Sequence, residues 1–291
     1  MKKRLCFLLI FWLLCDVQTG FCLDWKKLHE EADTMSLQNA QVEAQKAPKN
    51  IGKLYVLGLV SLTAHKDNDA AEAFTRIRAL DPTVIEARWG QAEVLRRQHD
   101  LVESEKILNE VLRARPLFFP AMVSLAYLKY TQFDLQKTVS LASRVLSYGQ
   151  KADKNDIVRA NLLIAGAKGT IAHNGGLVSK LVNGTVVLSY LHSAQRLAPD
   201  SDEVFLGLGS YYLLAPAFAG GDYDAAEKYL IKAIAADPLL VDSYVRLAQL
   251  YHARKEDAKY RLYLDKAMKI DPMNELALDT KSGACRFICK R

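Results

Sequence analysis

The chain has 291 residues, a formal net charge of +6, half of its residues hydrophobic and a quarter charged. Charges of both signs alternate along it, and no Lys/Arg run forms a nucleic-acid patch, which argues against a nucleic-acid partner. The length would suit one or two globular domains, but internal periodicity points to one continuous repeat array.

Residues 1–22 stand apart. Lys2, Lys3 and Arg4 make a basic start, Leu5 to Leu14 is an apolar core, and Asp16 to Cys22 is polar with small residues. That order reads as a secretory signal peptide. The apolar run is too short for a membrane anchor, which needs roughly 20 residues. Cleavage after Gly20 or Cys22 would start the mature chain near Asp24, lower the charge to about +4 and leave no transmembrane span. The expected location is therefore periplasmic or secreted. Phe21 and Leu14, bulky residues before Cys22 and Cys15, argue against lipidation. Residues 23–50 form the next segment, with Asp24 to Ala47 expected as one N-terminal helix.

From residue 51 the chain repeats. Pro82 and Pro116 are 34 residues apart, Pro238 and Pro272 again 34, and Pro199 and Pro238 39. The first unit starts at Ile51 and places Leu54, Leu57 and Gly58 on helix A, then Ala70, Phe74 and Ile77 on helix B. The last places Tyr244, Leu247, Ala248 and Tyr251, then Leu264 and Ala267. Each set is one apolar stripe at helical spacing. Small residues let the two helices approach closely, and the proline ends helix B. The second unit, Ile85 to Pro116, keeps Ala92, Leu95, Ser104, Leu108 and Val111. The third, from Phe119, has Gln150 where the proline should be. The fourth is about 15 residues too long, and the excess fits a loop at 173–184. The fifth carries five extra residues within Leu213 to Gly221.

This pattern resembles the tetratricopeptide repeat. The resemblance implies an all-α solenoid over 51–272, a right-handed superhelix of about six helix–turn–helix units. Stacked units need terminal caps, and residues 273–284 read as a capping helix within a C-terminal segment, 273–291, that ends in a basic tail. The family's repeat also implies a concave groove lined by helix A. Here that lining includes Tyr55, Trp89, Arg96, Arg97, Tyr127 and Tyr130. Aromatic residues beside arginines are common anchors of protein interfaces, and either arginine could meet a carboxylate of a partner. The same aromatics could equally be packed by neighbouring helices or by the insertion.

The widened turn Ala215 to Gly221 is apolar and carries Pro216 and Phe218, so it should pack on something or touch a partner. The order Gly209-x-Tyr211-Tyr212, then Pro216, then Gly220-Gly221-Asp222 resembles the T-component of TRAP transporters. That resemblance, over about 185–272, implies a periplasmic repeat protein associated with a solute-binding protein.

Chemistry-bearing motifs point nowhere. His29, His65, His99, His173, His192 and His252 make no short metal-ligand pair, and the turn residues His65 and His99 read as solvated. Gly52-Lys53 is followed by Leu54, so it is no phosphate loop, and Gly207-Leu208-Gly209 lacks the third glycine of a dinucleotide fold. No catalytic residue, metal or cofactor is expected. Cys285 and Cys289 could form a disulfide in an oxidising compartment only in an irregular tail; two thiols in a frayed tail are the alternative.

The sequence thus predicts a non-enzymatic, exported scaffold that binds another exported protein or peptide. A sharper form is an accessory subunit of a solute-uptake or envelope complex. Two rivals stay open: a carrier whose loops 173–184 and 215–221 close on a small hydrophobic ligand, and an assembly factor whose groove takes extended peptides. Self-association is also left open.

Overall fold

The computed structural model describes residues 23–288. The segment read as a signal peptide lies outside them. The described chain is helical throughout, without strands.

Two short helices lead in, α1 (Trp25–Thr34) and α2 (Leu37–Lys46). The single N-terminal helix expected over 24–47 is broken at Met35, whose backbone is extended, and Ser36 caps α2 by accepting from Asn39 N–H. Six helix pairs follow. They are α3 (Ile51–Thr63) with α4 (Asp67–Leu80), α5 (Ile85–Arg97) with α6 (Leu101–Ala114), and α7 (Phe119–Thr131) with α8 (Leu135–Ser147). Then come α9 (Lys154–Asn174) with α10 (Val187–Leu197), α11 (Asp202–Leu214) with α12 (Tyr223–Ala236), and α13 (Val241–Ala253) with α14 (Asp257–Ile270). The capping helix α15 spans Glu275–Ser282. In five of the six units helix A has 13 residues. The architecture is the expected tetratricopeptide-type solenoid.

Small residues set the helix spacing. A Cβ on Gly58 would lie 2.5 Å from the Phe74 ring, and one on Gly90 2.4 Å from the same ring. Phe74 of α4 therefore sits in a slot between α3 and α5 that only glycine leaves open, and it is fully buried. Leu230 of α12 uses Gly209 of α11 in the same way, with a would-be Cβ at 2.7 Å.

The turns explain the Asp-Pro signature. Asp237 and Asp271 each accept a backbone N–H two residues on, from Leu239 at 2.8 Å and from Met273 at 2.9 Å, so the carboxylate caps the turn. Within units 1, 2, 3 and 6 the chain turns from helix A to helix B through a left-handed residue: His65, His99, Phe133 and Lys255, with φ of 54°, 63°, 64° and 62°. Glycine would adopt this conformation at less cost.

The side chains of three of these residues account for their presence. His65 Nε2 lies 2.9 Å from Asp237 Oδ2, and His99 Nε2 lies 3.1 Å from Asp271 with Nδ1 3.3 Å from Glu275. Phe133 packs at 4.6 Å on Phe287. The turns of units 1, 2 and 3 thus meet the ends of units 5 and 6 and the tail, in step with the repeat. The superhelix closes on itself. These histidines are closure contacts and not the solvated turn residues expected.

The tail is also ordered where fraying was the alternative. Arg246 donates to the carbonyls of Ile288 (2.8 Å) and Phe287 (3.2 Å), and Asp279 accepts from the N–H groups of Arg286 and Phe287 at 3.0 Å. Cys285 is disulfide-bonded. Cys289, the partner suggested by the sequence, lies outside the described residues.

Candidate functional site

The inner face of the solenoid is built by helices A. Its first half is already filled. Helix α1 crosses α3, α5 and α7 and reaches the start of α9. Trp25 packs edge-on against Phe118 (5.5 Å) and Phe119 (6.4 Å). His29 stacks on Tyr55 and Trp89, with centroids 5.8 and 5.6 Å away and both rings tilted by 30°. Its Nε2 is 3.0 Å from the Tyr55 hydroxyl, and its Nδ1 lies 3.5 Å from Asp153 Oδ2. Around this stack, Lys26 donates to Gln150 O (2.8 Å) and Asn155 donates to Asp33 (2.8 Å).

Tyr55 and Trp89, expected as open groove residues, are therefore buried, and Trp89 Nε1 donates to Ser124 Oγ at 2.9 Å. The reason is the chain's own leading helix, whose Trp25 and His29 supply the aromatic surface that these rings require. Arg97 is also taken: its guanidinium bonds Asp67 at 2.6 Å and His65 Nδ1 at 2.8 Å, inside the closure. Tyr130 is half-buried against Gly166 and Phe287.

Tyr127 is 36% exposed, and Arg96, paired within the same wall, keeps 20% of its side-chain surface. The Arg96 guanidinium lies 4.7 Å over the Tyr127 ring and holds Glu93 Oε2 at 3.1 Å. Burial pushes the Glu93 carboxyl up, but Arg96 and Ser124 outweigh it, so Glu93 titrates below its ordinary range and stays ionised. Burial raises the Tyr127 phenol, helped by the Asp242 charge. Arg159 of α9 joins this wall. It bonds Glu203 Oε2 at 3.2 Å, and the Glu203 charge foremost holds it more firmly protonated. Its side chain keeps 52% of its surface. Sequence reasoning missed Arg159, because the 15-residue excess in unit 4 removes the proline count that fixes register. The result is a patch with two guanidiniums and a phenol, suited to recognising carboxylates and aromatic or polar side chains.

The second predicted contact, the turn 215–221, is open. Phe218 is 93% exposed and Pro216 is exposed too. Tyr211 donates to Ala219 O at 2.5 Å and Gly220 adopts φ of 89°, which fix the turn in this shape. The insertion in unit 4, expected as a loop, is a helical turn Leu177–Ser179 followed by a π-helical turn Lys180–Gly184. Leu177, Val178, Leu181 and Val182 all face solvent, so the two turns do not close an apolar pocket as a carrier would need. Among the described residues no group of three or more His, Cys, Asp or Glu could hold a metal, and no helix is long and apolar enough to cross a membrane.

Comparison with known proteins agrees with the fold. A family model described as tetratricopeptide repeat matches residues 55–117 and 217–274. A tetratricopeptide repeat protein from Parabacteroides merdae superposes with a TM-score of 0.52 at 15% identity, over 88% of this chain and 96% of that one. The crystal structure of the APC/C hetero-tetramer Cut9–Hcn1 gives a TM-score of 0.57 at 15% identity, over 88% of this chain and 47% of that one, so this chain spans about half its length. None of the curated proteins matches. At such identities the likeness concerns the fold, a tetratricopeptide-type repeat solenoid.

Proposed function

We propose that the protein is a non-enzymatic scaffold, exported to the periplasm or secreted, that binds another exported protein. The observation that carries this reading is α1 itself. A helix with aromatic residues four apart lies in the groove of units 1–3, so this surface has the shape and chemistry for helix recognition. With that half occupied from within, the partner engages the patch of Arg96, Tyr127 and Arg159. The sharper form, an accessory subunit that meets a solute-binding protein, rests on the Gly-x-Tyr-Tyr, Pro, Gly-Gly-Asp order alone; the comparisons add nothing to it.

A crosslinked pull-down of the protein from its native envelope tests the reading. One abundant exported partner is expected, lost when Arg96→Ala and Tyr127→Ala are combined while the circular dichroism spectrum is unchanged. The same partner yield from the double variant sinks the assignment. Trp89→Ala is not a useful test of binding, since Trp89 is held in the core.

A further inference from the structure

The inserted hairpin of unit 4 has its faces reversed. Ser179 donates to Ile171 O at 3.0 Å, Lys168 donates to Asn183 Oδ1 at 3.2 Å, and Asn183 lies 3.4 Å from Ser179 Oγ. The polar residues thus face α9. The apolar ones point outward: Leu177 is 76% exposed, Val178 75%, Leu181 60% and Val182 60%. Their spacing, i, i+1, i+4 and i+5, makes one helical face. A helix that packs on a protein normally buries its apolar face and shows its polar one. Here four large aliphatic side chains are held in water by a polar base.

The charge around the hairpin is one-sided. From Ile157 to Pro199 the sequence has no Asp or Glu, and the exposed His173 and Lys180 lie beside the apolar residues in the chain. The face is a projecting tip, not a groove. A tip has no walls with which to enclose a partner side chain, but it can enter the interface of a bilayer. Exposed aliphatic side chains with a lysine among them and no carboxylate near in the chain are the chemistry of a segment that inserts shallowly among anionic lipid headgroups.

We propose that this tip, with Leu177, Val178, Leu181 and Val182 at its surface and Lys180 among them, docks on an anionic lipid bilayer. The scaffold is then held to a membrane through unit 4, with Arg96, Tyr127 and Arg159 left for the protein partner.

Flotation with unilamellar vesicles tests this. The full chain is mixed with vesicles of phosphatidylcholine alone or of equal parts phosphatidylcholine and phosphatidylglycerol, at low and high salt. The expected result is flotation with the anionic vesicles, weakened by salt, and reduced about tenfold or more by combined Leu177→Glu and Leu181→Glu. Lys180→Glu should reduce it by a smaller factor on the anionic vesicles. Both variants alter exposed side chains, and unchanged melting temperatures would show that folding is intact. No flotation of the unaltered chain overturns the proposal. So does equal flotation of the double glutamate variant, which would place binding elsewhere, as in the apolar segment 5–14. Equal affinity for the neutral vesicles overturns the anionic commitment. If flotation is absent and the double glutamate variant loses the crosslinked protein partner instead, the tip belongs to a protein and not to a lipid.

Discussion

Units 1–3 and units 4–5 carry the same helix pairs, yet they treat their apolar surplus in opposite ways. In the first half, the aromatic face of Tyr55, Trp89, Phe118 and Phe119 is covered by α1, and the turns are pinned by His65, His99 and Phe133 to the far end of the chain. In the second half the turns are enlarged, and their aliphatic and aromatic residues face water. The lesson is that identical repeats need not share a role. A covered face stabilises the fold, whereas one held open by a polar base is available for something outside it.

The largest expected effect lies in the covered half. Phe74→Ala removes the ring that fills the slot between Gly58 and Gly90 and should cost about 3–5 kcal/mol in chemical denaturation. A cost under about 1 kcal/mol would show that the two glycines do not define a tight slot.

Next comes the covering helix. Trp25→Ala should cost about 2–3 kcal/mol and let α1 lift, so that water reaches Trp89 and its fluorescence shifts to the red. Unchanged emission with near-normal stability would remove the contrast between the two halves.

Asp156 sharpens the comparison through pH. It is buried beneath α1, one oxygen has no hydrogen-bond partner, and burial with the Asp153 charge pushes its carboxyl well above the ordinary range. The folded state then holds this proton more tightly than the unfolded chain does. Its contribution is complete below the unfolded carboxyl value and is lost as pH rises through the folded one. Asp156→Asn should raise stability near neutrality by about 1–2 kcal/mol and flatten the fall with rising pH. Parallel pH profiles for the two proteins would contradict this.

The smallest effect belongs to the closure. His99→Asn keeps a residue that tolerates the left-handed turn but removes the reach to Asp271 and Glu275. About 0.5–1 kcal/mol should be lost, with a small increase in radius of gyration by X-ray scattering. A melting temperature above that of the unaltered protein would mean that the turn, not the contact, dominates.

The repeat was readable because its causes are local. Proline stops a helix wherever it stands, small residues at Gly58 and Gly209 mark close approach, and apolar stripes repeat at helical spacing. The site was readable only in part. Arg96 and Tyr127 could be placed because unit 2 counts back from Pro116 and unit 3 counts forward from it. Arg159 could not, because Gln150 replaces the proline before it and the 15-residue excess separates it from Pro199. Burial of Tyr55 and Trp89 was one of two readings the repeat left open, but what covers them escaped it, since Trp25 and His29 lie outside the repeats.

By itself, then, the sequence determined the helix pairs, their number and the apolar stripes through which they stack, all of which follow from spacing along one chain. Only the tertiary structure decided which inward faces stay open. Whether α1 lies in the groove, whether His99 meets Asp271 across 172 residues, and whether an inserted helix turns its aliphatic side to water all depend on contacts between distant segments. No local periodicity encodes such contacts, because their energy comes from surfaces that meet only after the solenoid has closed.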